Sequence, residues 1–363
     1  MKRTTRRLIN LLLISAVVLG GFWSGRITVT AAKPDLMEVH YIDVGQGDAT
    51  LITCGGHTML IDAGDDTKGT TIQNYLQKQK IKSLDYLMLT HPDADHIGGA
   101  PVIITKFDIG KVFVSNYEKD TKTYQKLIQA LDNKRLKYIT PDIKSVYTLG
   151  TATITVIAPN DEYDNPNDAS VACIIQNGDT RFLFTGDAGV EAEKDILDNG
   201  IDISADVYKA GHHGSKYSSS MEFVKAVKPT YAVISCGENN SYGQPHAQTL
   251  NTLRTNGVKV YRTDEAGTIV VSSDGKEITF NVPESDTWKA GEPTGNTAVK
   301  TQKETVVSQP AGITYVLNNN TRKFHVPNCS SVDTIKPKNR EDTTKSRDEI
   351  IGAGYVPCKR CNP

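Results

Sequence analysis

The sequence predicts a layered α/β fold with a small separate module behind it, on three observations. Short apolar strands alternate with helical stretches over residues 37–282, the pattern of a sheet with helices packed on it. Four of those strands end in acidic or imidazole residues. Beyond a polar stretch, the residues from about 313 onward gather three cysteines and a histidine.

Residues 1–32 precede the fold. Lys2, Arg3, Arg6 and Arg7 stand before an apolar run from Leu8 to Trp23, and Ala31 and Ala32 follow as small residues. A basic start, an apolar run and small residues describe an export signal. The run is short for a membrane span, so a cleaved signal peptide is favoured over a signal anchor. Export places the chain outside the cell, secreted or on the extracellular face of the membrane. Membrane contact is expected only through this segment, and no protein partner is predicted.

Charge is uneven. The whole chain has net charge −1, but residues 1–31 carry five basic and no acidic residues. Residues 32–310 hold 27 basic against 37 acidic side chains, and residues 311–363 hold nine against five. An acidic body with a basic tail excludes nucleic-acid binding by the bulk charge of the body alone.

Within the body, strands are expected over 37–44, 49–54, 57–61, 84–90, 112–114, 152–158, 172–176, 181–185, 207–208, 231–235, 258–262, 268–271 and 277–281. Helices are expected over 69–79, 121–133, 191–199, 219–227 and 247–255. Gly55-Gly56 between two strand-like runs signals a hairpin. The domain limits read from this pattern are 36–283 for the body, 284–312 for a flexible polar linker and 313–363 for the module.

The chemistry sits at strand ends. His91, Asp93, Asp95 and His96 follow the apolar run Leu84–Thr90, and Pro92 turns the chain out of the strand there. Taken alone, such a cluster also fits a solvated loop with a helix cap. Three later runs repeat the arrangement: FLFTGD ending at Asp187, GHHGS at His212 and His213, and NSYGQPH at His246. Acid and imidazole groups at four strand ends converge on one sheet edge, where open α/β sheets place their sites. Imidazoles and carboxylates together bind divalent metals. Asp43, Asp48 and Asp62 lie in DVGQGD and LIDAGD, either holding such imidazoles from behind or capping glycine-rich turns. Ser215 and Lys216 reach a substrate phosphate or belong to a plain loop.

HPDADHIGG, FLFTGD, GHHGS and NSYGQPH, with HYIDVGQGDATLI before them and RTDEAGTIVV after, resemble the metallo-β-lactamase fold. Within it they resemble the hydrolase domain of the ComEC competence family, over about 37–282. The resemblance implies an αββα sandwich with two divalent metal ions, Zn or Mn. It implies that His91 and Asp93 bind one ion, Asp95 and His96 the second, that Asp187 bridges both, and that His246 caps the second. It places His212 or His213 in the site as ligand or proton donor without choosing between them, and gives Asp95 a role in orienting water. Asp93 departs from the commonest pattern of the fold, which has histidine there. The usual third histidine of the first ion has no clear match either; Asn167, Asp168 and Ser170 lie nearest. Oxygen ligands favour harder cations such as Mn or Mg.

In the tail, His325, Cys329, Cys358 and Cys361 supply one imidazole and three thiols, enough for a closed structural Zn site. A unit this small needs such a staple. A disulfide among the thiols is the alternative. The H-x3-C and GYxPCxxC spacing resembles the Ada-type metal-binding module. Its net charge of +4 and the Lys359-Arg360 pair fit either a phosphate-contacting face or solvated surface.

The expected function is a secreted metal-dependent phosphodiesterase or nuclease using metal-activated water on DNA. The alternative is a metallohydrolase of a small ester, lactone or lactam.

Overall fold

The computed structural model describes residues 34–291 and 315–361, apart from 328, 330, 333, 334, 346, 359 and 360. The expected export signal, most of the expected linker and the Lys359-Arg360 pair lie outside the described residues. Among the described residues no helix is long and apolar enough to cross a membrane. The chain divides into two compact units, with the division in the sequence falling between Asn296 and Thr297.

The first unit opens with three antiparallel strands, β1 (Met37–Tyr41), β2 (Thr50–Cys54) and β3 (His57–Ile61), followed by helix α1 (Gly69–Lys78). Strand β4 (Ser83–Leu89) leads into two short helices, α2 (Ala94–Ile97) and α3 (Ala100–Lys106). Then come β5 (Asp108–Val114), α4 (Lys122–Lys134), β6 (Tyr138–Ile139), β7 (Val146–Leu149), β8 (Ala152–Ala158), β9 (Ala172–Asn177) and β10 (Thr180–Phe184). Helix α5 (Val190–Asp198), β11 (Val207–Lys209), α6 (Met221–Val227), β12 (Tyr231–Ile234), α7 (Ala247–Thr255) and β13 (Lys259–Arg262) follow. A last turn of helix, α8 (Thr263–Ala266), precedes β14 (Ile269–Ser273) and β15 (Ile278–Phe280).

These strands form two sheets. One has the order β15-β14-β1-β2-β3-β4-β5-β6, the other β13-β12-β11-β10-β9-β8-β7. Side chains alternate across a strand, and both faces of each sheet are apolar. In β10, Phe182 and Phe184 face the other sheet while Leu183 faces the helices. In β2, Ile52 and Leu51 divide the same way. Between the sheets, Met37, Val39, Tyr41, Met88 and Phe113 meet Ile154, Cys173, Phe182, Val207 and Val233. Outside the first sheet pack Ile72 and Leu76 of α1, Ile103 and Ile104 of α3, and Leu127 and Leu131 of α4. Outside the second pack Ile196 of α5, Phe223 and Val227 of α6, and Leu250 and Leu253 of α7. Ile72/Leu76, Leu127/Leu131 and Phe223/Val227 are spaced i, i+4 and Leu250/Leu253 i, i+3, which gives α1, α4, α6 and α7 each one apolar face. The result is the αββα sandwich that the resemblance implies.

The helix starts are built locally. Thr121 caps α4 by accepting from the Tyr124 N–H at 3.2 Å, and Ser220 caps α6 by accepting from Phe223 at 3.2 Å, each satisfying a helix donor that has no partner within the helix. In the first unit five elements carry no clear signal in the sequence: α2, α3, β6, β7 and α8. Helices α2 and α3 meet at Gly98-Gly99, a pair that ordinarily marks a turn, with Pro101 just beyond. Proline is tolerated in a first helical turn, and Pro101 occupies that place. A Cβ on Gly98 or Gly99 would strike the backbone of Asp66 or Ala63, so the glycines are there for close approach.

Residues 284–291, expected to begin the flexible linker, are instead held to the body. The Ser285 N–H donates to Val260 O at 2.7 Å, and the Gly291 N–H donates to Pro245 O at 3.0 Å. The guanidinium of Arg254 lies 4.6 Å from the centre of the Trp288 ring, and Trp288 packs on the outer core of the second sheet. An indole flanked by backbone donors supplies enough apolar surface to dock a segment whose average composition is polar.

The second unit carries a sheet of order β18-β16-β17-β19, with β16 at Tyr315–Asn318, β17 at Lys323–His325, β18 at Arg340–Thr343 and β19 at Val356–Pro357. It has two small apolar clusters. One holds Val316, Val332 and Ile335 around Cys329 and Cys358; the other holds Leu317, Phe324, Ile350 and Tyr355. Neither is large enough to be a core of the ordinary kind.

Candidate metal centre

Parallel strands β4, β10, β11 and β12 all deliver their C-terminal ends to one edge of the sandwich. His91 follows β4, Asp187 follows β10, and His212 and His213 follow β11. There, four imidazole Nε2 atoms close on one carboxylate oxygen. Asp187 Oδ2 is 3.3 Å from His96, 3.4 Å from His213, 3.7 Å from His212 and 3.9 Å from His91. Asp95 Oδ2 joins the group, 3.2 Å from His213 Nε2 and 3.9 Å from His96 Nε2.

Each ring is turned inward because its other nitrogen is held from behind. His96 Nδ1 meets Asp62 Oδ2 at 2.8 Å, and Asp62 is itself fixed by the Thr90 N–H at 2.8 Å and the Thr90 hydroxyl at 2.7 Å. His213 Nδ1 donates to the Ser235 carbonyl at 3.0 Å. His91 Nδ1 faces the Thr90 hydroxyl at 3.1 Å and that of Ser170 at 3.4 Å, and His212 Nδ1 faces the Asn167 amide at 3.5 Å. Such partners fix tautomer and orientation in metal sites. His212 and His213 both adopt left-handed backbone, φ 52° and 55°, an uncommon conformation for non-glycine residues. The turn is held by the His212 N–H donating to Gly186 O at 3.1 Å and by the Gln244 amide donating to His212 O at 3.0 Å.

The donor set fits divalent metal. His91 Nε2 and Asp187 Oδ1 are buried without a hydrogen-bond partner, and such orphans are rare unless something else binds them. His96 Nε2 and His213 Nε2 face each other at 3.2 Å, where two imidazoles repel unless a proton or a cation lies between. Burial opposes charge on His96 and His213, but Asp187, with Asp62 behind the first ring and Asp48 behind the second, holds both pKa values well above the ordinary imidazole value. Burial drives His91 down to about 3, with His96 adding to the fall. Burial would raise Asp187, yet the surrounding imidazoles hold it well below the usual carboxylate range. One acid ionised among several basic rings is the electrostatic signature of a cation site.

The sequence-selected residues separate into two groups. His91, Asp95, His96, Asp187, His212 and His213 come together, and both members of the histidine pair reach Asp187. Asp93 instead pairs with Lys119 Nζ at 2.5 Å, which neutralises it. His246 stands at the rim with Nδ1 accepting from the Lys216 N–H at 3.2 Å. Asn167 and Ser170 support rings, and Asp168 accepts from the Gly189 N–H at 2.8 Å.

Asp48, His96, Asp187 and His213 each have a donor atom within 4.8 Å of the others, but Asp48 lies on the Nδ1 side of His213, at 3.6 Å, so it backs the ring. Its partner escaped the sequence reading. Lys209 Nζ, almost fully buried, sits 2.8 Å from Asp48 Oδ2. Its signal was the period-2 position in VYK, which puts Lys209 on the inter-sheet face with Val207. Gly47 explains part of DVGQGD: its φ is 136°, and a Cβ there would strike the Asp95 carbonyl, to which the Asp48 N–H donates at 3.1 Å.

In the second unit, His325, Cys329, Cys358 and Cys361 bring their donor atoms within 4.8 Å of one another, and no disulfide joins them. Burial and the neighbouring thiols push Cys361 up to about 11, the reverse of what a thiolate ligand needs until a metal compensates.

The Metallo-beta-lactamase superfamily profile matches residues 42–238, over half of the chain. ComE operon protein 3 of Bacillus subtilis (strain 168) is 31% identical over 273 residues, covering 69% of this chain and 35% of that protein. Competence protein ComA of Neisseria gonorrhoeae is 29% identical over 262 residues, covering 70% of this chain and 35% of that protein. Recombination protein 2 of Haemophilus influenzae is 29% identical over 240 residues, covering 65% and 29%. The chain thus spans about a third of the length of these relatives. With the αββα sandwich and the ring of histidines about Asp187, these matches show that the chain belongs to the metallo-β-lactamase superfamily, as a ComEC-like member.

Proposed function

We propose that this chain is an extracellular metal-dependent phosphodiesterase that hydrolyses nucleic acid, DNA foremost. The observation that carries the reading is the convergence of four imidazoles on Asp187 Oδ2, a layout suited to two divalent ions. His91, His96, His213 and Asp187 would hold them, with Asp95 beside the second. A divalent ion held there would activate water at neutral pH and offset phosphate charge. Asp95, about one-third exposed and held ionised by His96 and His213, orients the attacking water. His212 is the most solvent-open of the rings about Asp187, the place for a group that contacts the leaving oxygen. Similarity to competence and recombination proteins favours nucleic acid over a small ester, lactone or lactam.

In the same reading, the N-terminal segment exports the chain or anchors it, the second unit is an Ada-type module with one structural zinc, and its basic residues contact substrate phosphates.

The test is hydrolysis of single- and double-stranded DNA by the metal-stripped protein after adding back Mn, Zn or Mg separately. Metal-restored cleavage that is lost in Asp95→Ala supports the proposal. Hydrolysis of a lactone or lactam with DNA left intact under every metal would hand the site to the small-molecule alternative.

A further inference from the structure

Two loops border the metal centre, and each presents a tyrosine to solvent. Tyr217 follows the histidine pair and is 63% exposed; Tyr242 precedes His246 and is 61% exposed. Neither is needed by the core, and leaving that much aromatic surface in water is unfavourable.

The loops are fastened together. The His246 N–H donates to Gly214 O at 2.9 Å, the Thr249 hydroxyl donates to Ser215 O at 2.8 Å, and the Gln244 amide donates to His212 O at 3.0 Å. The Lys216 N–H donates to His246 Nδ1 at 3.2 Å, and the Tyr242 backbone faces the same imidazole. Both tyrosines are therefore set by the segments that carry His212, His213 and His246. The Tyr217 backbone is also tied to the Asp187 side, where the Val190 N–H donates to Tyr217 O at 3.0 Å. Lys216 Nζ lies 5.2 Å from the centre of the Tyr217 ring, so a cation and an aromatic face sit side by side.

We propose that Tyr217 and Tyr242 are stacking platforms for the nucleobases of a single-stranded nucleic acid, with Lys216 taking a backbone phosphate beside them. This rests on the nucleic-acid reading of the metal centre and narrows it to unpaired strands. A base offers a flat π-face whatever its identity, and an aromatic side chain with a neighbouring cation binds it without choosing sequence. A duplex hides those faces in its stack. The tyrosines are specificity residues, outside the chemistry.

The test is fluorescence anisotropy of the full chain, loaded with Mn, on a labelled twelve-nucleotide single strand and on an abasic strand of the same length. Cleavage of both strands is followed separately. The proposal expects tighter binding of the base-bearing strand. In Tyr217→Ala and Tyr242→Ala that preference should fall by roughly tenfold each, with binding of the abasic strand unchanged. Tyr217→Phe and Tyr242→Phe should keep it. A base preference that is absent, or that survives in the double alanine variant, overturns the platforms even if DNA is cleaved. A base preference lost in the alanine variants, with neither strand cut, supports the platforms as a binding surface and sinks the phosphodiesterase reading instead.

Discussion

Each imidazole that reaches Asp187 has its own support, and the supports predict different losses. Asp62 does not touch the inner ring of donors, but it holds His96 by Nδ1. Asp62→Ala should keep the fold's secondary structure and weaken metal binding by about 10- to 100-fold, measured by competition with a chromogenic chelator. Lys209 and Asp48 form a buried ion pair at 2.8 Å. Removing one partner leaves the other charge buried and alone, so Lys209→Met should cost about 3–5 kcal/mol in denaturant unfolding, and the double change Lys209→Met with Asp48→Leu should recover much of it. An unchanged midpoint in the single variant would show that the pair is not sealed from water. Protons give a third test. With their pKa values raised above the ordinary imidazole value and their Nε2 atoms 3.2 Å apart, His96 and His213 share a proton at neutral pH when no metal is bound, and metal must expel it. Metal affinity should then fall as pH drops, and titration calorimetry in two buffers of different ionisation enthalpy should find protons released on binding. Absence of release would mean that the rings are already neutral.

At the scale of elements, the strands were readable because apolar runs are bounded by glycine and polar residues. Leu84–Thr90 and Phe182–Thr185 announce both a buried strand and the ligand cluster at its end. The αL turn at His212-His213 was not readable, because its backbone is dictated by partners distant in sequence, Gly186 and Gln244. For the same reason composition could not separate Asp93, which meets Lys119, from Asp95, which meets His213. Lys209 escaped because a lysine in a strand ordinarily marks an edge or a solvent face, and only its partner on another segment makes it a core residue. The 284–291 strap reads as linker in the sequence because one indole outweighs five polar neighbours. Trp288→Ala should lower stability of the first unit by about 1–3 kcal/mol, read as a shift in its thermal midpoint; a shift within error would return the segment to the linker.

The whole molecule joins two units that fold by different means. The first has three stacked apolar layers and should hold its fold without metal. The second divides its few apolar side chains between two small clusters, one of them around the thiols, so its folding should depend on the ion bound there. Chelation should therefore melt the second unit alone, seen as loss of amide protection in residues 315–361 with 37–282 still protected.

The central claim is that Asp187 and the imidazoles around it hold metal. The most direct measurement is the metal content of the dialysed first unit within the full chain, with the second unit's cysteines and His325 replaced so that only one centre remains. About two divalent ions per chain are expected, as in two-metal hydrolytic sites, and their loss in Asp187→Ala with the fold intact. Full occupancy in Asp187→Ala, or no metal in the parent protein at any pH where it is folded, would contradict it.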